Sequence, residues 1–280
     1  MSTAAPSAAE ITRNSKSNLA LAFVALPRTR RQDASVFYAF CRVVDDLADE
    51  PGDPVEKQNA LDRWRAALVA PCAEEAPLAP AVRTLIAKYS LPVAHFHEII
   101  AGVEMDLHGT RYVTWEDLRV YCYRVASVVG LVSIEIFGCR APRSREYAEN
   151  LGLALQLTNI LRDVRQDRDR NRRIYLPDED LARFDLNACD IAAHMRDERV
   201  RGVMEFEAAR AREFFAKARE ALTPTDRRAL LAAEIMAAIY ERLLDKMQRD
   251  GFRVFDRRYA LSKWEKFAAI VRAIWRNRFR

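Results

Sequence analysis

Apolar positions recur at steps of three and four along most of the chain, and no run alternates apolar and polar residues long enough to demand a strand. Pro27, Pro51, Pro54, Pro71, Pro77, Pro92, Pro142, Pro177 and Pro224 sit at or near the interruptions of that pattern, where proline is tolerated. The spacing predicts helices near residues 14–25, 30–49, 54–69, 79–89, 92–108, 114–138, 143–166, 188–221, 224–250 and 259–276. There is no internal repeat, low-complexity linker or break in composition. The expectation is an all-α chain: a flexible lead-in over residues 1–12 and one helical domain over residues 13–280.

Two of these helices carry a polar seam inside apolar surroundings. In VFYAFCRVVDDLADE, Tyr38, Arg42, Asp45 and Asp49 follow steps of four, three and four, so they share one face, with Asp46 beside them. In ENLGLALQLTNILRDVRQD, Gln156, Asn159, Asp163 and Asp167 do the same at steps of three, four and four. Like charges four apart cost a helix roughly 0.2–0.5 kcal/mol, so something positive should offset each pair. Mg²⁺ meets the need, because it is a hard ion that combines a few carboxylates with water and substrate phosphate. A lone Asp-x-x-x-Asp is more often a solvated face. Two of them, each set in apolar helix, point to a clamp for a diphosphate.

Three further segments bear on this. Residues 165–177, RQDRDRNRRIYLP, are dense in both charges and read either as a solvated loop or as a lid over a polyanion. In residues 121–138, Ala126, Ser127 and Gly130 allow close backbone approach or a kink, and the apolar side chains suit a lipid tunnel or a buried helix crossing. Near the C-terminus, Trp264, Phe267, Val271 and Ile274 fall at steps of three, four and three among cations. That pattern suits a helix lying on an anionic membrane or one packing its apolar side on the bundle.

Composition narrows the picture. Half the residues are hydrophobic, 30 % are charged and only 8 are Gly, which suits a helical globule. Residues 263–280 hold six cations and one anion, so the net charge of +5 resides at that end. A general nucleic-acid surface is not expected. Cys41, Cys72, Cys122, Cys139 and Cys189 are odd in number and scattered, as free thiols in a reducing compartment would be. His95 and His97 lie on different helix faces and make a poor metal pair. Residues 1–10 lack the features of a signal peptide, and the longest apolar runs, 19–26 and 125–134, are short of a membrane span. The expectation is a cytoplasmic protein that is not integral, with peripheral contact at the inner membrane face as one reading of its basic end.

The sequence resembles the squalene/phytoene synthase family, the head-to-head prenyl synthases, from about residue 15 to 258. YAFCRVVDDLADE is similar to the family's first aspartate-rich motif, and LQLTNILRDVRQD with RRIYLP to its second. YCYRVASVVG is similar to the central segment and SKSNLALAFVALP to the N-terminal one, with Asn18-Leu19 where the family usually has Ser-Phe. The resemblance implies an isoprenoid synthase-type single-domain helical bundle with a central apolar cavity. It implies that Asp45, Asp49, Asp163 and Asp167, with Asn159, hold Mg²⁺ and diphosphate. It places Lys16, Arg42, Arg162, Tyr240 and Arg253 on the diphosphates, gives Tyr121 a part in the first half-reaction, and sets Gln156 along the same wall. Tyr38, from the polar stripe of its helix, joins the expected substrate-binding residues.

Within the family the motifs look most like bacterial presqualene diphosphate or squalene synthases. The expected reaction is Mg²⁺-assisted 1–1′ condensation of two farnesyl diphosphates to presqualene diphosphate, continuing to squalene if NADPH supplies hydride. The alternatives are a phytoene synthase joining two geranylgeranyl diphosphates, or a non-catalytic assembly factor on the same fold. Retention of all four motif aspartates disfavours the last.

Overall fold

The computed structural model describes residues 8–14, 22–171, 173–193 and 197–279, and among these every regular element is helical. In chain order they are α1 (Ala8–Asn14), a 3₁₀ turn (Phe23–Ala25), α2 (Arg28–Asp49), α3 (Pro54–Val69), α4 (Ala79–Tyr89), α5 (Val93–Leu107) and α6 (Trp115–Cys122). A π-helical turn (Tyr123–Ser127) leads into α7 (Val128–Phe137), followed by α8 (Arg143–Asn171), α9 (Asp178–Ala182) and α10 (Ala188–Ala193). The chain ends with α11 (Glu198–Ala221), α12 (Leu231–Arg249) and α13 (Lys263–Phe279). The all-α expectation holds.

Local chemistry sets many of these limits. Asp53 caps α3 by accepting the Val55 N–H at 3.0 Å, with Pro54 at the first helical position. Thr114 and Asp117 close a reciprocal capping box at the start of α6. Asp197 accepts the Arg199 N–H at 2.7 Å and so starts α11, dividing the single helix expected over 188–221. The helix expected from residue 224 begins only at Leu231. Upstream of it, Asp226 is buried and accepts the N–H groups of Arg140 and Ala141 and the Ser144 hydroxyl, tying this turn to the start of α8. The expected lead-in over 1–12 is helical from Ala8, because α1 packs on α2 and the Thr12 hydroxyl reaches the Ser35 carbonyl at 3.3 Å. The helix expected over 14–25 is represented by α1's last residue and the 3₁₀ turn, and residues 15–21 lie outside the described residues.

α8 is the central element. The π turn, α7, α11 and α12 all pack on it, and α7 also packs on α2. The crossing of α8 with the π turn is close enough that a Cβ on Gly152 would stand 2.5 Å from the Ser127 backbone. One turn on, a Cβ on Gly130 would stand 2.8 Å from the Ala148 carbonyl oxygen, and Ser127 Oγ donates to the Glu149 carbonyl at 2.7 Å. The small residues of 121–138 thus serve a helix crossing. Gly152→Ala, which would stabilise an ordinary helix interior by about 1 kcal/mol, should instead lose roughly 1–3 kcal/mol here. Denaturant unfolding reads the difference, and an unchanged midpoint would mean the two backbones part freely. Taken as one piece, Trp115–Phe137 is long and apolar enough to cross a membrane, but half of that window is buried within the bundle.

A buried acid pair lies away from the seams. Glu207, 1 % exposed, and fully buried Asp180 share Arg210, which bonds them at 2.6 and 2.7 Å. Burial, reinforced by Asp180 and opposed by Arg210, pushes the Glu207 carboxyl up to about 7. The folded chain therefore keeps a proton there between about pH 4.5 and 7 that the unfolded chain has lost, and stability should fall as pH rises through that window. Glu207→Gln should flatten this part of the pH–stability curve, by on the order of 1–3 kcal/mol. A curve identical to that of the parent protein would remove Glu207 as its source.

Candidate active site

α2 and α8 turn part of each seam toward one cavity of about 290 Å³; Asp49, Asp163 and Asp167 are not on its lining, and Asp163 lies with Arg162 on a second hollow. From α2 come Tyr38, Arg42 and Asp45; from α8, Gln156 and Asn159; from α6, Tyr121. Val125, Val129, Ser133 and Ile136, at steps of four, four and three, supply a mostly apolar wall, while Ala126, Ser127 and Gly130 face α8. Residues 121–138 thus present one face to the cavity and another, of small residues, to the crossing with α8. Phe23 and Tyr38 meet edge to face at 6.3 Å on the same cavity.

On the α2 side, Arg42 bonds Asp46 Oδ2 through Nε at 3.1 Å and stands 3.5 Å from Asp45. The Asp45 side chain is half exposed, lying in a cleft that water enters while protein surrounds it. Burial by those walls pushes its carboxyl up to about 7, with Asp49, Asp106 and Asp46 adding to the effect and Arg42 opposing it. On the α8 side, Arg162 Nε donates to Asp163 Oδ1 at 2.8 Å and the guanidinium also bonds Tyr240. Burial alone would lower Arg162, but these partners outweigh it and hold it charged. Burial, then Asp163 and Asp106, push Asp167 up to about 7, against Arg173, with Asp49 adding to the effect. Asp49 belongs to α2 and Asp167 to α8, so the two ridges share one field.

Sequence reading passes over the group that joins them. Asp106, 9 % exposed at the end of α5, accepts the Tyr121 hydroxyl at 2.8 Å and the Tyr175 hydroxyl at 2.7 Å. Arg173 lies 3.9 Å from Asp106 and donates to Asp49 Oδ1 at 3.1 Å. Tyr112, Tyr121 and Tyr175 pack ring on ring around this hub, Tyr121 and Tyr175 stacked at 5.1 Å. The available signal was an acid three residues beyond Val103, on the buried stripe of Phe96, Ile99 and Val103.

The charged run 165–177 is neither a solvated loop nor a free lid. α8 continues through it to Asn171, and the segment beyond is anchored by the inward side chains of Arg173 and Tyr175. Backbone bonds of 3.0 Å from Asp178 to Tyr112 and from Glu179 to Val113 hold its far end. All five cysteines are free.

The donor set suits a hard cation. Every ridge donor is an oxygen, and Asn159 Oδ1 is buried without a hydrogen-bond partner among the described residues while its Nδ2 donates to Gln156 at 3.4 Å. No three His, Cys, Asp or Glu side chains among the described residues are grouped tightly enough to hold an ion by themselves. That spacing fits an ion whose shell is shared with water and phosphate.

Comparison with known proteins agrees with this geometry. The family described as squalene/phytoene synthase matches residues 12–265. The chain belongs to that family. A phytoene synthase of Arthrospira platensis is 36 % identical, over 90 % of this chain and 86 % of its own. A 15-cis-phytoene synthase of Synechococcus elongatus is 34 % identical over the same shares. Among solved structures, a dehydrosqualene synthase in complex with ligand superposes with TM-score 0.84 at 27 % identity, covering 98 % of this chain and 95 % of its own. Squalene synthase HpnC from Alicyclobacillus acidocaldarius gives 0.75 at 31 %, covering 88 % and 93 %.

As a squalene/phytoene synthase family member the chain is of the prenyltransferase type that joins prenyl diphosphates head to head. The fold is that of its isoprenoid synthase-type neighbours. Among the described residues, one carried over by resemblance, Arg253, is not brought to the cleft. Arg253 pairs with Asp256 at 3.0 Å and lines a separate hollow with Asp197 and Arg201, so its charge is spent away from the ridges. Arg257 and Arg258 instead line a hollow with Arg162 and Asp163. Lys16, with Asn18-Leu19, lies outside the described residues.

Proposed function

We propose that this protein condenses two farnesyl diphosphates by 1–1′ attack to presqualene diphosphate, and carries the product on to squalene where NADPH is supplied. The observation behind this reading is the field that the acids of α2 and α8 share beside one mostly apolar-walled cavity. Asp45 and Asp49, with Asp163, Asp167 and Asn159, would hold Mg²⁺. Bound there, the ion would offset the charge of a departing diphosphate. Arg42 and Arg162 lie on neighbouring carboxylates and would turn to phosphate oxygens once those carboxylates take metal. Val125, Val129 and Ile136 hold the prenyl tails and keep water from the cationic carbon.

Closing the cyclopropane releases one proton. Tyr121 sits on the cavity with its hydroxyl donating to Asp106. Its phenol is pushed well above 10 by burial and by Asp106, so it serves as a neutral hydroxyl and not as a stored phenolate. The phenol oxygen takes the substrate proton while its own proton passes to Asp106 Oδ2, leaving both groups neutral. The released diphosphate is the competing acceptor.

The relatives named phytoene synthase favour a second reading, condensation of two geranylgeranyl diphosphates. Feeding C15 and C20 diphosphates separately with Mg²⁺, with and without NADPH, and weighing the extracted lipid separates the two. The first reading expects a C30 product from the C15 substrate. A C40 product from the C20 substrate alone would replace it with the second, and no condensation from either would sink both.

A further inference from the structure

The C-terminal helix α13 is packed with its large residues outward. Among the described residues ten large hydrophobics are exposed, and five of them, Trp264, Phe267, Val271, Ile274 and Trp275, lie on this one helix. The other five are valines scattered over the rest of the fold. At about 100° per residue the five fall within an arc of roughly 100°. The opposite side, set against α12, buries Ala269 and Ala273, the latter 4 % exposed, whereas Trp264 is 81 % exposed. A helix whose only task was to complete the bundle would do the reverse, burying its aromatics and exposing its alanines.

Charge surrounds this arc. Lys263, Lys266, Arg272, Arg276 and Arg278 stand on the same helix with Glu265 as its only acid. Beside it, α11, α12 and α13 enclose a hollow of about 530 Å³ with Trp264 on its lining. Arg212, Arg219, Arg242, Arg272 and Arg276 line it against three acids, Glu241, Asp245 and Glu265. Arg219 pairs with Glu241 and Arg212 with Asp245, so five guanidiniums against three carboxylates still leave positive charge in excess on this lining.

We infer that α13 docks this protein on an anionic phospholipid bilayer, with Trp264, Phe267, Val271, Ile274 and Trp275 in the interface and the surrounding Lys and Arg on the headgroups. Tryptophan at the water–lipid boundary and cations beside it are the composition such a surface selects. A second copy of the chain is the poorer occupant, because this face would bring one +5 segment against another. The inference rests on α13 and its neighbours alone and stands whatever the aspartate cleft turns over.

Co-sedimentation of the full chain with vesicles tests it. Binding is expected to phosphatidylcholine mixed with phosphatidylglycerol, to weaken with added salt, and to be at least about tenfold weaker on phosphatidylcholine alone. The double variant W264S/F267S, altered only at exposed positions, should keep its helix content and lose binding by at least about tenfold. Equal sedimentation of parent and variant would overturn the inference. So would a parent that ignores both vesicles, or a parent that forms a dimer in solution which the variant does not.

Discussion

Asp45→Asn and Asp163→Asn are each expected to lower turnover by at least about 10³-fold while leaving the helical fold intact. Asparagine keeps the size of the side chain and removes the charge that would hold a divalent ion. The fold should not suffer. Asp45 is crowded by Asp49, Asp106 and Asp46, with only Arg42 in opposition, so without metal the neutral amide removes a repulsion. The metal-free Asp45→Asn protein should therefore unfold at the same temperature as its parent or a higher one. Added Mg²⁺ with inorganic diphosphate should stabilise the parent more than the variant, because both ligands bind the folded state. Circular dichroism, thermal unfolding and diphosphate release together check this. Near-normal turnover in either variant would contradict the assignment of the ridges.

Tyr121→Phe should separate departure of the leaving group from closure of the ring. It removes the hydroxyl that meets Asp106 at 2.8 Å and nothing else on the cavity wall. Product formation is expected to fall about 10²–10⁴-fold, the range for loss of a positioned proton acceptor, with KM for the prenyl diphosphate little changed. Asp106→Asn should fall on the same side, since it removes the charge that receives the relayed proton. The two losses should not add, because the groups act as one unit. A double variant no slower than Tyr121→Phe alone is the expected result. Additive losses would mean that the two groups act separately, and near-normal product from Tyr121→Phe would assign the proton to the departing diphosphate.

The sequence made the two ridges legible because they break an apolar helix at fixed steps, a pattern that needs no tertiary information. Helix positions followed from the same periodicity, and Pro54 and Pro92 marked real starts. Ends that depend on distant partners were not visible. Nothing near Leu231 says that α12 starts late, because Asp226 is spent on α8, more than eighty residues away in sequence. Residues 165–177 misled for a related reason. Charge density suggests a solvated loop or a lid, yet Arg173 turns inward because Asp49 and Asp106, from two other helices, neutralise it there. Asp106 itself lay in view as an acid on a buried stripe, but only the tyrosines that converge on it give it meaning. Arg253 is the opposite case, a motif match whose side chain lies on a nearby carboxylate in this structure.

The π turn at Tyr123–Ser127 has its own consequence. In ordinary α geometry a side chain four residues on drifts about 40° round the axis, so Tyr121, Val125 and Val129 would spiral off a common line. The wider winding absorbs that drift and lets a proton acceptor and a greasy wall share one edge. Removing a single residue there would leave a more regular helix and turn everything beyond it by about 100°, parting chemistry from container. Insertions and deletions should thus be tolerated at the surface loops of this fold but scarcely at all in those five residues.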